Sequence, residues 1–345
     1  RSTGSGWVDT TERWGLAELT GLWTGVVAGD FDGDGRPDLV VGNWGRNSLY
    51  ELDRPERVGL FYGDFEKDGV LEVIEAGSQE GRWYPLRSRT WLARGMPDLV
   101  QRYPTHEAYG LATVEEILGE RLREVRRLDA VNLETTVFLN RGGRFEAVAL
   151  PAEVQRAPVF GVAVGDYDSD GREDIFLGQN FYGGGWDLTR EDAGGAMWLR
   201  GRGDGTFEVM ALSLSETGEQ RSVALADYDH DGRVDMVVGQ SDGPFKLVRN
   251  LSAGRGLRVR LVGPGGNPHG VGARMRVVYE GGQYGAARWV QAGSGYWGQD
   301  SVVCVMGVGP GARELEVVWP DGGEQRVALG AGVLELEVIH DDVEP

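Results

Sequence analysis

An all-β fold assembled from repeated strand hairpins is what this sequence predicts, on three observations. Its 345 residues hold 56 glycines but six methionines, with 11 tryptophans and 11 tyrosines, which suits many short strands joined by tight turns better than long helices. One phrase recurs almost unchanged, as GVVAGDFDGDGRPDLVVGN from Gly25, GVAVGDYDSDGREDIFLGQN from Gly161 and SVALADYDHDGRVDMVVGQ from Ser222. Each copy reads as an apolar strand, an acidic tip and a second apolar strand. With 41% hydrophobic residues, a chain of this length can bury a substantial core around such hairpins.

The tip follows the pattern D-x-[DE]-x-D-G-x-x-[DE]. In the first copy Asp30, Asp32 and Asp34 stand at positions 1, 3 and 5, Gly35 at position 6 permits a sharp turn, and Asp38 closes the ring at position 9. Four carboxylates drawn so close repel one another without a cation. A hard ion with roughly six to eight oxygen ligands satisfies them, the backbone carbonyl of Arg36 at position 7 included, and this describes Ca2+ better than Mg2+. The second copy supplies Asp166, Asp168, Asp170 and Asp174 with the carbonyl of Arg172; the third supplies Asp227, Asp229, Asp231 and Asp235 with that of Arg233. A fourth, degenerate copy, GLFYGDFEKDGVLEVIEAG from Gly59, keeps Asp64, Glu66, Asp68 and Glu72 with Val70 at the carbonyl position, and its longer arms predict a weaker or distorted site. Asp-Gly pairs also mark simple turns, but near-identical copies with every ligand position filled favour metal. An EF-hand needs flanking helices and a Glu at position 12, where these loops carry Val41, Leu177 and Val238; Glu75 at that place in the degenerate copy is incidental.

These residues resemble the FG-GAP or VCBS repeat of integrin-like β-propellers, over about residues 20 to 250. The resemblance implies a propeller whose blades each carry such a loop between their first two strands. FLNRGGRFEAVAL from Phe138 and MWLRGRGDGTFEVMAL from Met197 fit outer hairpins of such blades, turning on glycine-rich residues. About four blade-like units can be counted, and WVDT near Trp7 could close the ring as an outer strand. The gap from Asp64 to Asp166 must hold an insertion, read as helical over about 86–127, with a capping box from Thr113 to Glu116. One or two helices are expected to protrude from the second blade.

From Leu251 onward the phrases NPHGVGARM, GSGYWGQ and VVWPDGG resemble the ASPIC/UnbV domain, and the chain as a whole is similar to bacterial relatives of the cartilage acidic protein family. Two domains are therefore expected, repeats over 1–250 and a β-rich domain over 251–345. Period-two alternation at Arg258, Val259, Arg260 and Leu261, and at Leu315, Glu316, Val317 and Val318, argues independently for an antiparallel sandwich or barrel there. Cys304 between Val303 and Val305 reads as a core residue, and as the only cysteine it allows no intrachain disulfide.

A formal charge of −19 disfavours nucleic acid and anionic membrane surfaces as partners. Four bound divalent ions would add eight charges and bring it to about −11. No apolar run reaches the length of a membrane helix, and no leader precedes Arg1, so the chain is expected to be cytosolic or to have lost its leader; loops matched to millimolar calcium outside cells favour secretion to the periplasm or cell surface. His106, His230, His269 and His340 lack zinc-site spacing, Ser294 lies in AGSGY rather than in a nucleophile elbow, and no glycine-rich phosphate loop is present. No catalytic residue is assigned. Arg202-Gly203-Asp204 and the Asn250-Leu251-Ser252 sequon both read as incidental. Trp44, Tyr182 and Trp186 lie near loop ends and could form a platform for sugars or proteins, or pack between blades. The resemblance implies a calcium-binding extracellular interaction or adhesion module whose partner is a protein or glycan, with part of a larger assembly, a carbohydrate-binding protein and a polysaccharide-active enzyme as further readings.

Overall fold

The computed structural model describes residues 6–50, 57–183, 190–210, 218–241 and 243–343. The strong repeats each open a sheet. In the first, Val26–Gly29, Asp38–Val41, Thr136–Asn140 and Phe145–Ala149 lie antiparallel in that order. Val159–Gly165, Asp174–Gln179, Met197–Gly201 and Phe207–Met210 repeat the arrangement in the second sheet. The third consists, among the described residues, of Glu219–Ala226, Asp235–Ser241 and Lys246–Val248. Gly29 opposes Asp38, Gly165 opposes Asp174 and Ala226 opposes Asp235, so the acidic tip leaves and re-enters each hairpin at the same rung.

Strand alternation gives each of these sheets two apolar faces, and the sheets stack through them. Val27 and Val40 of the first meet Val162, Val164, Ile175 and Leu177 of the second. On the other side of the second sheet, Ala163 and Phe176 meet Val223, Leu225, Met236 and Val238 of the third. Sheets stacked in this way are propeller-like blades. The free face of the first blade is covered by the N-terminal segment, where Trp23 packs on Phe138 at 5.7 Å and Trp14 on Phe145 at 5.1 Å. Trp7 stands in a single β-bridge and is 86% exposed, and Val8–Thr10 form no strand among the described residues.

The degenerate repeat does not follow the first blade but is nested inside it. Its own sheet runs Arg82–Pro85, Glu72–Gln79, Val58–Gly63, Arg126–Ala130, and the whole unit lies between the second and third strands of the first blade, which pair Leu39 with Phe138. The two crossings are tied at the base, where Gly45 N donates to Leu133 O (2.7 Å) and Asn43 Nδ2 to Asn132 O (2.9 Å). Instead of one or two helices there are four short ones, Arg89–Leu92, Leu99–Arg102, His106–Gly110 and Val114–Leu118, because Pro97, Pro104 and Gly110 interrupt the apolar pattern. They protrude into nothing: Leu92, Met96, Leu99, Ile117 and Leu118 bury against Phe61, Ile74 and Trp83 of the nested sheet. The Thr113–Glu116 capping box opens the last of them.

Beyond the blades, Cys304–Met306, Leu257–Val262 and Glu335–Ile339 form one sheet, and Arg288–Trp289, Arg274–Tyr279, Ala312–Val318 and Glu324–Ala328 another. They sandwich a core of Leu257, Val259, Leu261, Met275, Val277, Leu315, Val317 and Trp319, in which Cys304 is buried. The sandwich is not purely antiparallel, since Leu257–Val262 pairs in parallel with Glu335–Ile339. No helix among the described residues is long and apolar enough to cross a membrane.

Candidate metal centres

The strong acidic tips fold alike. Position-6 glycines Gly35, Gly171 and Gly232 take φ of 82°, 86° and 81°, a left-handed turn that a side chain would strain. That turn aims each glycine N–H at Oδ2 of the position-1 aspartate: Gly35 to Asp30 (3.1 Å), Gly171 to Asp166 (2.8 Å) and Gly232 to Asp227 (2.9 Å). The position-9 carboxylate is held from two sides. Phe31, Tyr167 and Tyr228 donate their N–H to Oδ2 of Asp38, Asp174 and Asp235, and the end of the third strand donates Asn140, Gly201 and Asn250 N–H to the matching Oδ1 at 2.7–2.8 Å.

As a result, oxygens of Asp30, Asp32 and Asp38 lie within 4.8 Å of one another, as do those of Asp166, Asp168 and Asp174 and those of Asp227, Asp229 and Asp235. Oxygens on opposite sides of a calcium ion stand about 4.6–5.2 Å apart, so each trio fits around one ion. Asp30 supplies the sharpest test of fit. It is 1% exposed, yet its Oδ1 has no hydrogen-bond partner. A buried carboxylate oxygen left so is costly, and a hard cation is the partner its neighbours suit. The all-oxygen donor set points to calcium rather than to zinc.

Asp34, Asp170 and Asp231 at position 5 stand outside the trios. They accept the N–H of Arg36, Arg172 and Arg233 at 2.8–3.1 Å and turn their carboxylates to the Arg36, Arg200 and Arg233 guanidiniums. Position-3 groups are paired as well: Asp32 with Arg141, Asp168 with Arg200 (2.6 Å) and Asp229 with Arg249 (2.7 Å). These third-strand arginines were not legible as part of the site, since nothing in the tip marks them.

The fourth loop differs. Among the described residues no carboxylate trio gathers there: Glu66 turns to Arg121 (2.8 Å), Asp64 accepts the Asp68 and Gly69 amides, Glu72 accepts Phe65 N–H, and Val70 is 59% exposed. The reason lies in the third strand. Arg82–Pro85 pairs only with Ala76–Gln79, short of Glu72, so no second amide pins the position-9 carboxylate as it does in the blades.

Burial, reinforced by the neighbouring carboxylates, pushes Asp38 up to about 6, Asp166 up to about 7 and Asp174 up to about 8, from an ordinary 3.8. With the folded value raised, an ion-free loop favours folding only while protonated, and that contribution fades as pH rises through the raised values. A divalent ion reverses the preference. Calcium binding near about pH 6.5 is therefore expected to release protons. The check is calorimetry in buffers of different ionisation enthalpy; identical heats in all of them would contradict it.

The C-terminal sandwich lies against these tips. Asp30 Oδ2 accepts Ala287 N–H (2.7 Å), Asp166 Oδ2 accepts Gly307 N–H (2.9 Å), and Asp227 Oδ2 accepts Arg258 Nη1. Two residues before each of these aspartates, Ala28, Val164 and Leu225 offer their carbonyls to Gln291, Arg288 and Ser301. Glu173, 6% exposed at position 8 of the second loop, pairs with Arg288 through both carboxylate oxygens at 2.9 and 3.2 Å. Pro37 and Val234 fill that position elsewhere, so a charge there was the one sequence sign of this contact.

Other candidates resolve simply. Trp44 packs edge-on against Tyr50, Phe160 and Phe181, between blades rather than as a platform. Tyr182 carries Arg190 over its ring at 4.9 Å, and Trp186 lies outside the described residues. Arg202-Gly203-Asp204 forms the turn after Met197–Gly201, with Asp204 capped by Thr206. Asn250 Nδ2, the sequon nitrogen, donates to Tyr167 O and Val234 O.

Comparison with known proteins agrees with this layout. The family described as FG-GAP repeat matches residues 22–47, the FG-GAP-like repeat residues 186–238, and the family described as ASPIC and UnbV residues 263–344. Cartilage acidic protein 1 of Homo sapiens is 26% identical over 258 residues, 71% of this chain and 34% of that protein; those of Mus musculus and Xenopus tropicalis are 25% and 24% identical over the same length. The chain thus spans about a third of the length of the curated relatives it matches. This combination of domains points to an extracellular, adhesion-type module. The chain carries FG-GAP repeats joined to an ASPIC/UnbV domain, and over most of its length it is similar to cartilage acidic protein 1.

Proposed function

We propose that this chain is a secreted or cell-surface calcium-binding module whose ions are structural and whose exposed loops engage a protein or glycan, as one subunit of a larger assembly. The observation that carries the reading is the buried, partnerless Oδ1 of Asp30 within a carboxylate trio that recurs in two further blades. Its test is calorimetry on the full chain: about three calcium ions should bind, with dissociation constants on the order of 10⁻⁵ to 10⁻³ M and weaker binding of magnesium. Absence of heat would sink it.

A glycan partner is the second reading, and Trp297 favours it. Its side chain is 88% exposed, its backbone is held at φ 53°, and its indole stacks on Tyr296 at 5.5 Å with planes 1° apart, while Tyr296 rests on Phe160. A bulky residue is kept in a left-handed conformation at a cost of roughly 1–3 kcal/mol, with its ring facing solvent. Trp297→Ala is expected to leave the melting temperature within about 2 °C and to abolish binding on a glycan array or to a co-purifying protein. Undiminished binding by the variant would remove Trp297 from the contact.

A further inference from the structure

We infer that the calcium loops are the docking points of the C-terminal domain, so that ion loading and seating of that domain are one coupled event; this rests on the calcium reading above. In each of the three blades, one side chain faces both ways. The position-1 aspartate contributes to the carboxylate trio, and its Oδ2 takes a donor from the C-terminal domain: Ala287 N–H at Asp30, Gly307 N–H at Asp166, the Arg258 guanidinium at Asp227. A carboxylate is rigid and planar, so an ion that fixes it from the trio side also aims Oδ2 at the domain. Without the ion, the buried like charges repel, and turning the side chain away weakens the acceptor that the domain needs.

The geometry repeats where chance would not repeat it. The three acceptors occupy one loop position, the carbonyls of Ala28, Val164 and Leu225 occupy another, and all six meet the C-terminal domain. First strands of blades are sheet edges, and here their inner edges are satisfied by that domain. Gly307 shows how close the approach is: a methyl group there would overlap Asp166 Oδ2 and the Gly171 amide. Because coupling is reciprocal, a domain that seats better on loaded loops must also tighten the loops' hold on calcium by the same factor.

The test is hydrogen exchange on the full chain in calcium, in EGTA and in EGTA with magnesium. Calcium should slow exchange not only at 30–38, 166–174 and 227–235 but also at 287–291, 304–307 and 257–259, with one midpoint for loops and domain. Gly307→Ala should move that common midpoint to several-fold higher calcium, with the 30–38 loop shifting along with the 166–174 loop. Wild-type exchange needs no variant to fold, so the outcome does not hang on the substitution. Calcium that binds and protects the loops while 287–307 exchanges alike in EGTA overturns the coupling and leaves the calcium reading intact. Absence of any calcium binding overturns both.

Discussion

Chelating calcium is expected to lower the melting temperature of the full chain by on the order of 10 °C. A ligand at about 100 times its dissociation constant stabilises the folded state by about 2.7 kcal/mol per site, so three sites amount to about 8 kcal/mol. For a chain of this size each kcal/mol corresponds to a degree or two. Differential scanning calorimetry in calcium and in EGTA, with ionic strength matched by magnesium, measures it. The nested unit, whose loop gathers no carboxylate trio, should contribute almost none of the shift, so Asp64→Asn should leave it unchanged while Asp38→Asn should remove about a third. A melting curve indifferent to chelation would end the structural role given to the ion.

Arg288→Met is expected to destabilise the protein by about 3–5 kcal/mol even with calcium saturating, because it strands a buried carboxylate. Glu173 is 6% exposed; burial pushes its pKa up, and Arg288 is the cation that pulls it back. Asp300, also raised by burial, lines the same cavity between the second blade and the C-terminal domain, with Cys304 behind it. Removing the guanidinium also removes the donor to Val164 O (3.0 Å). The double change Glu173→Leu with Arg288→Met should recover much of the loss, since apolar pairs often replace buried ion pairs at little cost. Urea unfolding of the four proteins measures this; a single variant as stable as the wild type would show that water reaches the pair.

The acidic tips were legible because their carboxylate trio is local: positions 1, 3 and 9, with the turning glycine at 6, must be spelled out in nine consecutive residues. Blade stacking was implied only by the resemblance to propeller repeats; the structure shows it in Val27 and Val40 meeting the second sheet and in Ala163 and Phe176 meeting the third. The nesting was not legible. Pairing of Leu39 with Phe138 leaves no mark on either residue, and the long interval between Asp64 and Asp166 reads equally well as an excursion from a second blade. Trp44 shows the limit for single residues, since an aromatic ring after a strand looks the same whether it meets a ligand or Phe160 and Phe181. The seat of the C-terminal domain escaped for a related reason: two of its three contacts to the position-1 aspartates are backbone amides, which no side chain announces.

Nesting also sets an order of assembly. The amide that pins the position-9 carboxylate comes from 102 residues downstream in the first loop, from Asn140 to Asp38, but from 27 in the second and 15 in the third. For a flexible chain, closing the longest of these spans costs roughly 1.7 kcal/mol more than closing the shortest. The nested unit removes that handicap if it collapses first, because its folded base brings residues 43–45 beside 132–133 and shortens the path. As the chain emerges during synthesis, the blade begun earliest is thus completed only after its own insert, and its acidic tip waits on a strand made about a hundred residues later.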